Sequence, residues 1–157
     1  MGPALEWGHH LQTHSTFWLA YLGNRCPEHP FTGIKVMKRI IIGITGATGT
    51  IYGWRLMELL RSEGKTEIHL VMSPSAKLTL KMEHDVDPDR LSDLAHEVHA
   101  PGNIGASISS GSFHSEGMII APCSIKTMSN IAAGNTGDLI SRAADVILKE
   151  RRTLIVA

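Results

Sequence analysis

Cysteine is scarce in this chain, with two residues, Cys26 and Cys123, among 157. Two cysteines are too few for a disulfide framework or a four-ligand zinc site, so we expect a reducing, cytoplasmic location. The chain also lacks a net charge, because fifteen basic residues balance fifteen acidic ones. A general electrostatic attraction to nucleic acid or to anionic membranes is therefore not expected. No apolar run approaches the length of about 18 residues that spans a bilayer.

Aromatic residues are few as well, and five of the eight lie within the first 36 positions. The same segment holds four of the nine histidines and shows neither a helical nor a strand period. We expect residues 1–36 to be a poorly ordered N-terminal extension and residues 37–157 to form the domain. The three neighbouring histidines His9, His10 and His14 are too weak a signal for a metal site, and no metal is expected.

From position 38 onward, apolar runs alternate with amphipathic segments. The pattern predicts strands at 39–44, 67–72, 117–121 and 153–157, and helices at 50–61, 75–82, 91–95, 124–133 and 138–150. The strands are short, apolar and rich in β-branched residues, which is typical of strands buried on both faces. Strands separated by helices predict a parallel, doubly wound sheet in a three-layer α/β fold.

The first predicted strand leads directly into a glycine-rich turn, Thr45-Gly46-Ala47-Thr48-Gly49, and then into a helix. Glycines allow the backbone to turn tightly and to approach a ligand, and the N–H groups at a helix start favour an anionic phosphate. The simpler interpretation is a connecting turn without a ligand. The strand before it and the helix after it favour a ligand-binding turn.

Nicotinamide-dependent dehydrogenases of the short-chain type have almost the same glycine spacing. They usually place an acidic residue or an arginine just after the second strand to hold the ribose, whereas residues 73–75 here are Ser-Pro-Ser. Their catalytic Tyr-x-x-x-Lys pair is also absent, since neither Tyr21 nor Tyr52 is followed by a lysine four residues on. Both differences disfavour a nicotinamide cofactor.

Five distinctive stretches follow one another along the chain: GITGATGTIYG, HLVMSPSAKLTL, ISSGSF, APCSIKT and RAADVILKERR. From Met37 to Ala157 the sequence closely resembles the UbiX/Pad family of flavin prenyltransferases. The resemblance implies a flavodoxin-like, Rossmann-type fold that binds FMN and assembles into a homododecamer. It also implies that a dimethylallyl group passes from dimethylallyl monophosphate to reduced FMN. The prenyl-FMN would then go to a UbiD-type decarboxylase, in ubiquinone biosynthesis or aromatic acid decarboxylation.

The resemblance also implies site residues. It assigns FMN contacts to Gly46, Ala47, Thr48, Ser73, Ser124, Ile125, Lys126 and Thr127. Arg142 and Lys149 match residues that meet the phosphate of the prenyl donor in the family, although a solvated basic helix face is the simpler interpretation. Cys123 is interpreted as a small buried residue near the cofactor rather than as a nucleophile. By resemblance, Ile104 and the 109–112 run belong to a loop that closes over the substrates or a neighbouring subunit.

Two alternatives to an active prenyltransferase stay open. One is a non-catalytic FMN-binding fragment, because in the family an Arg-Glu pair and further phosphate ligands follow the position at which this chain ends. The resemblance therefore predicts low activity for the chain as it stands and a sheet incomplete at its C-terminus. The other is a related flavin-dependent cysteine decarboxylase, against which the ISSGSF, APCSIKT and RAADVILKERR stretches argue.

Overall fold

Five parallel strands form a central sheet within residues 37–157, the part of the chain that the structure, a computed structural model, describes. The strands are β1 (Lys38–Ile44), β2 (Thr66–Met72), β3 (Glu97–His99), β4 (Gly117–Ile120) and β5 (Thr153–Val156). Their order across the sheet is β3-β2-β1-β4-β5. This is the order of a doubly wound Rossmann-type sheet, whose direction of winding reverses between β1 and β4.

Helices cover both faces of the sheet. They are α1 (Thr50–Glu63), α2 (Pro74–His84), α3 (Asp89–Leu94), α4 (Ile125–Ala132) and α5 (Leu139–Lys149), with a 3₁₀ turn at Ser107–Ser109. None of the helices between residues 37 and 157 combines the length and the apolar character of a membrane-crossing segment. The three-layer α/β fold predicted from the sequence is confirmed.

The isoleucines of β1 show how the sheet joins its two layers. Successive side chains of a strand point to opposite faces. Ile42 and Ile44 are fully buried in a cluster with residues of α1, α2 and α3, whereas Ile41 is buried with residues of α5. Gly53 of α1 lies so close to the end of β4 that a Cβ there would clash with the Ala121 carbonyl oxygen. The apolar run of β1 therefore fills two cores.

The sequence prediction and the structure differ at one edge of the sheet. Strand β3 was not predicted, because it has three residues and alternates Glu97, Val98 and His99. It pairs with β2 alone, and Val98 is half exposed, as expected for an edge position. The predicted extension at 1–36, with its histidines, lies outside the described residues.

Candidate functional site

Three loops meet at the carboxyl edge of the sheet. They follow β1, β2 and β4, and their backbones are joined by hydrogen bonds: the Ser73 N–H donates to the Ile44 carbonyl (3.0 Å) and the Thr45 N–H to the Pro122 carbonyl (3.1 Å). In open α/β sheets, ligands bind at this edge where the winding direction reverses. We call residues 45–49, Ser73 and residues 121–127 the strand-end site.

A buried hydroxyl links the two central loops of the strand-end site. Thr45 is 1% exposed, and its Oγ1 donates to the Pro122 carbonyl oxygen at 2.8 Å. The Thr45 Oγ1 in turn accepts a hydrogen bond from the Ser124 N–H at 2.6 Å. Thr45 was predicted as part of the glycine-rich turn but not as a site residue; a polar residue directly after an apolar strand is the signal in the sequence. Its hydroxyl fixes the first loop relative to the start of α4.

The turn after β1 presents hydrogen-bond donors without internal acceptors. Within the described chain, the N–H groups of Gly46, Ala47 and Thr48 have no acceptor, and Thr48 is exposed. Ser73 contributes a further donor beside them. Its Oγ caps α2 by accepting from the Ala76 N–H at 3.0 Å, which leaves the hydroxyl hydrogen free to point outward. These groups suit a ligand rich in acceptor atoms.

The start of α4 presents a second set of donors. Ser124 caps this helix, since its Oγ accepts from the Thr127 N–H at 3.3 Å and lies 3.1 Å from the Thr127 Oγ1. The N–H groups of Ile125 and Lys126 find no acceptor among residues 37–157. The side chains of both residues are exposed, whereas Thr127 is buried. The structure thus brings the predicted residues of three strand ends to one edge.

Glu83 occupies the N-terminus of α1. Its carboxylate accepts from the Gly49 N–H (3.2 Å), the Thr50 N–H (3.2 Å) and the Thr50 hydroxyl (2.8 Å). The sequence predicted that the first N–H groups of this helix face a bound anion, but Glu83 already takes them. Among residues 37–157, no acceptor faces the N–H groups of residues 46–48, which lie just before the helix. No motif marks Glu83, which reaches the turn from the end of α2.

The environment of Glu83 changes its acidity. The hydrogen bond from the Thr50 hydroxyl is the largest influence, and together with the backbone N–H groups of Gly49 and Thr50 it lowers the pKa of Glu83 below 4.5, the usual value. Burial acts in the opposite direction and is outweighed. Glu83 is therefore ionised in the folded protein at neutral pH.

This lowered pKa predicts a dependence of stability on pH. Because the pKa of Glu83 is lower in the folded chain than in the unfolded chain, its contribution to stability is present above the unfolded value. That contribution is lost as the pH falls through the folded value. In urea unfolding from about pH 6 to about pH 3, wild type should lose more stability than Glu83→Gln. Glu63→Gln, which removes an exposed carboxylate at the end of α1, should behave like wild type. Parallel pH curves for wild type and Glu83→Gln would contradict this assignment.

Cys123 lies within the strand-end site and has a protonated thiol. Burial raises the pKa of Cys123, and its Sγ lies 3.6 Å from the Ser124 carbonyl oxygen. A raised pKa disfavours the thiolate that a nucleophile needs. These observations support the interpretation of Cys123 as a small, partly buried packing residue.

Arg142 and Lys149 lie at opposite ends of α5. Arg142 is exposed in the first turns, and the helix starts beside the loop after β3, where the Leu139 N–H donates to the Pro101 carbonyl (3.0 Å). Lys149 ends the helix about 10 Å further along its axis. It precedes β5, whose first residue pairs with the first residue of β4, so Lys149 lies at the amino edge of the sheet. Within one chain, Lys149 and the strand-end site are on opposite edges.

The loop at 109–113 also lies at the amino edge. The Arg152 guanidinium donates to the Phe113 carbonyl (2.6 Å) and to the Gly111 carbonyl (2.9 Å). A Cβ on Gly111 would lie 2.5 Å from the Glu150 carboxylate, so loop and helix end are tightly packed. This loop therefore does not cover the strand-end site of its own chain. Ile104, in the preceding loop, is 57% exposed.

The model of the Flavoprotein family matches residues 32–157. Flavin prenyltransferase UbiX of Escherichia coli K12 is 52% identical over 120 residues, which cover 76% of this chain and 64% of that protein. Flavin prenyltransferase LpdB of Lactiplantibacillus plantarum is 49% identical over 120 residues, with the same coverage. The chain thus spans about 64% of the length of these relatives.

Solved structures show the same similarity. AnUbiX (PadA1) in complex with FMN and dimethylallyl pyrophosphate superposes with a TM-score of 0.75 at 47% identity, over 76% of this chain and 63% of that chain. A dodecameric FMN-dependent Ubix-like decarboxylase of Escherichia coli O157:H7 gives 0.75 at 45% identity, over 76% and 65%. The cypemycin decarboxylase CypD gives 0.63 at 17% identity, over 82% and 70%, and is similar in fold alone.

Proposed function

The chain belongs to the Flavoprotein family, as its motifs predicted, and from that premise we propose that it binds FMN at the strand-end site. The observation that carries the proposal is the set of N–H groups at the neighbouring ends of β1 and β4 that have no acceptor within residues 37–157. FMN offers acceptors of two kinds, a phosphate and the polar edge of its ring. The donors present therefore fit this cofactor.

The residues proposed to contact FMN are those that present hydrogen-bond donors at the strand-end site. Those with an unpaired N–H group are Gly46, Ala47, Thr48, Ile125 and Lys126, and those with a hydroxyl group are Thr48, Ser73, Ser124 and Thr127. Helix caps at two of these hydroxyls fix their direction before a ligand arrives. This arrangement lowers the cost of ordering the site when FMN binds.

We propose that the protein is a flavin prenyltransferase. Reduced FMN held by these residues would supply an electron-rich ring: a bond from the ring to the dimethylallyl group would replace that group's C–O bond to the donor phosphate, and the ring would give up a proton. Arg142 and Lys149 hold that phosphate and stabilise the negative charge that develops on it as it leaves. Identities of 52% and 49% to flavin prenyltransferases support this activity.

The position of Lys149 implies an oligomer. One chain cannot offer Lys149 to its own strand-end site from the opposite edge of the sheet, so a second copy of the chain would supply it. The dodecameric neighbour supports a homo-oligomer, and we propose a dodecamer as its specific form.

The prenyl-FMN product would pass to a UbiD-type decarboxylase in ubiquinone biosynthesis or aromatic acid decarboxylation. A cytoplasmic location is part of this proposal.

The alternatives have less support. A cysteine decarboxylase activity would rest on neighbours such as CypD, whose 17% identity shows a common fold and no more. A non-catalytic FMN-binding protein rests on the resemblance alone, and no contact within residues 37–157 favours it over the enzyme. Incubation with reduced FMN and dimethylallyl monophosphate, or the diphosphate in a second arm, tests the activity. Prenylated flavin detected by mass is expected, at the low rate that the resemblance predicts for this chain, and its absence with both donors in a protein that binds FMN would contradict the activity.

FMN binding can be tested separately at the exposed Thr48. Thr48→Glu places a carboxylate among the donors of the turn, and Thr48→Gln places a neutral group of the same size there. Because like charges repel in a partly desolvated site, the Glu variant should bind FMN at least about tenfold more weakly than the Gln variant. Quenching of flavin fluorescence during titration measures both affinities. Equal affinities, or tight NADPH binding without a flavin response, would contradict FMN binding at this turn.

A further inference from the structure

Two Glu-x-His triplets lie side by side on β2 and β3. They are Glu67-Ile68-His69 and Glu97-Val98-His99, and the parallel register places His69 opposite Glu97. Residues two apart on a strand point to the same face of the sheet. The four polar side chains of the triplets therefore gather on one face, near the edge formed by β3.

Three of these side chains have the spacing of metal ligands. The His69 Nδ1 lies 3.1 Å from the His99 Nε2 and 3.4 Å from the Glu97 Oε2. In a tetrahedral zinc site with metal–nitrogen bonds of about 2.0–2.1 Å, neighbouring ligand atoms are about 3.3 Å apart. Potential ligand atoms of all three residues lie within 4.8 Å of one another. A single ion fits between them with little movement.

The fourth side chain orients the central ligand. The Glu67 Oε1 lies 3.0 Å from the His69 Nε2, and the Glu67 Oε2 accepts a hydrogen bond from the Arg39 Nε at 3.0 Å. A proton on Nε2 shared with Glu67 leaves the Nδ1 lone pair directed at the other two ligands. Carboxylates hold metal-binding histidines in this way in many proteins.

The surroundings suit an ion that enters from one side. His69 and His99 are buried, whereas the side chain of Glu97 is 53% exposed, so solvent reaches the cluster past Glu97. On another side the Phe113 and His69 rings pack in a T-shaped arrangement, with centroids 4.8 Å apart.

We propose that His69, Glu97 and His99 bind a divalent transition metal, with Zn²⁺ as the ion that fits best and water as a fourth ligand. Two imidazoles and one carboxylate are a ligand set that Zn²⁺ takes readily. The ion joins the three-residue edge strand β3 to β2 and stabilises that edge. This site differs from the sequence expectation of no metal, and it does not depend on the proposed FMN chemistry.

Zinc titration of the full chain, freed of metal by a chelator, tests the proposal. Competition with a zinc indicator should show one tight equivalent in wild type that is lost in His99→Ala and weakened at least about tenfold in Glu97→Gln. Glu67→Gln, which removes the orienting hydrogen bond, should weaken binding by about 10–100-fold. Zn²⁺ should raise the melting temperature of wild type and not that of His99→Ala.

Glu97→Gln keeps the experiment decisive if His99→Ala does not fold, because Glu97 is half exposed and its replacement leaves both histidines in place. His114→Ala removes an exposed histidine outside the cluster and should bind Zn²⁺ like wild type. Histidines within residues 1–36 remain in every variant, so zinc bound there does not alter the comparison. Equal zinc affinity and stoichiometry in wild type and Glu97→Gln, or no binding by wild type, would overturn the proposal. A bare hydrogen-bonded histidine pair would then explain the cluster.

Discussion

Mixed oligomers of Arg142→Ala and Lys149→Ala chains are expected to recover about a quarter of the wild-type rate of prenyl transfer, although each variant alone is nearly inactive. Loss of one cation at a developing phosphate charge typically lowers the rate by about 10²–10³-fold. The two residues lie about 10 Å apart along α5, at opposite edges of the sheet. If each phosphate site takes them from different chains, random mixing leaves about one site in four with both.

Co-expression of the two variants with different tags, followed by purification through both tags, provides the mixed oligomers. Each variant alone should still bind FMN with wild-type affinity, since neither residue is among the proposed FMN contacts. Lys77→Ala, at an exposed position on α2, is the control for loss of a surface cation and should keep full activity. Inactive mixed oligomers that bind FMN normally would show that Arg142 and Lys149 do not come from different chains.

Removal of the buried Thr45 hydroxyl should destabilise both the fold and the site. Thr45→Val keeps the shape of the side chain but loses the hydrogen bonds to the Pro122 carbonyl and from the Ser124 N–H. We expect the free energy of unfolding to fall by about 2–3 kcal/mol, because a buried donor is left without its partner. FMN affinity should fall at least about tenfold, since the two donor loops lose their link. Urea denaturation and flavin titration measure the two effects.

Thr45→Ser is the matched control, because it keeps the hydroxyl and removes one methyl group. It should cost less than about 1.5 kcal/mol and retain FMN affinity. If Thr45→Val were destabilised but bound FMN as tightly as wild type, the hydroxyl would be a structural group with no part in holding the site. Equal stability of wild type and Thr45→Val would contradict the buried hydrogen bonds themselves.

The fold was predictable where short-range patterns determine it. The apolar, β-branched runs of β1, β2 and β4 indicate strands covered on both faces, and their bounds agree with the structure to within a residue. Ser124 and Asp138 were predicted as the first residues of helices and are their caps. Strand β3 was missed because three residues with one apolar side chain carry no strand signal. Its pairing depends on the length and hydrogen bonds of β2.

Part of the strand-end site was also predictable from short-range sequence patterns. Its loop residues belong to local motifs that directly follow strands, so sequence order alone brings them together. Glu83 is 33 residues from Thr50, and only the packing of α2 against α1 brings its carboxylate to the turn. A spacing of seven places Arg142 and Lys149 roughly on one helix face, but it does not reveal which edge of the sheet each one reaches. These contacts arise from tertiary packing.

The carboxylate of Glu83 also bears on the choice between nucleotides. In dinucleotide-binding proteins of this topology, the N–H groups at the start of the first helix hold the pyrophosphate that joins the two nucleotides. Here those donors serve a side chain of the protein, and its negative charge would repel a second anion in the same place. A dinucleotide would have to displace Glu83 before it could bind, whereas a mononucleotide has no bridging pyrophosphate to accommodate. The Glu83 carboxylate thus leaves the N–H groups of residues 46–48, rather than those of Gly49 and Thr50, for the phosphate of a mononucleotide.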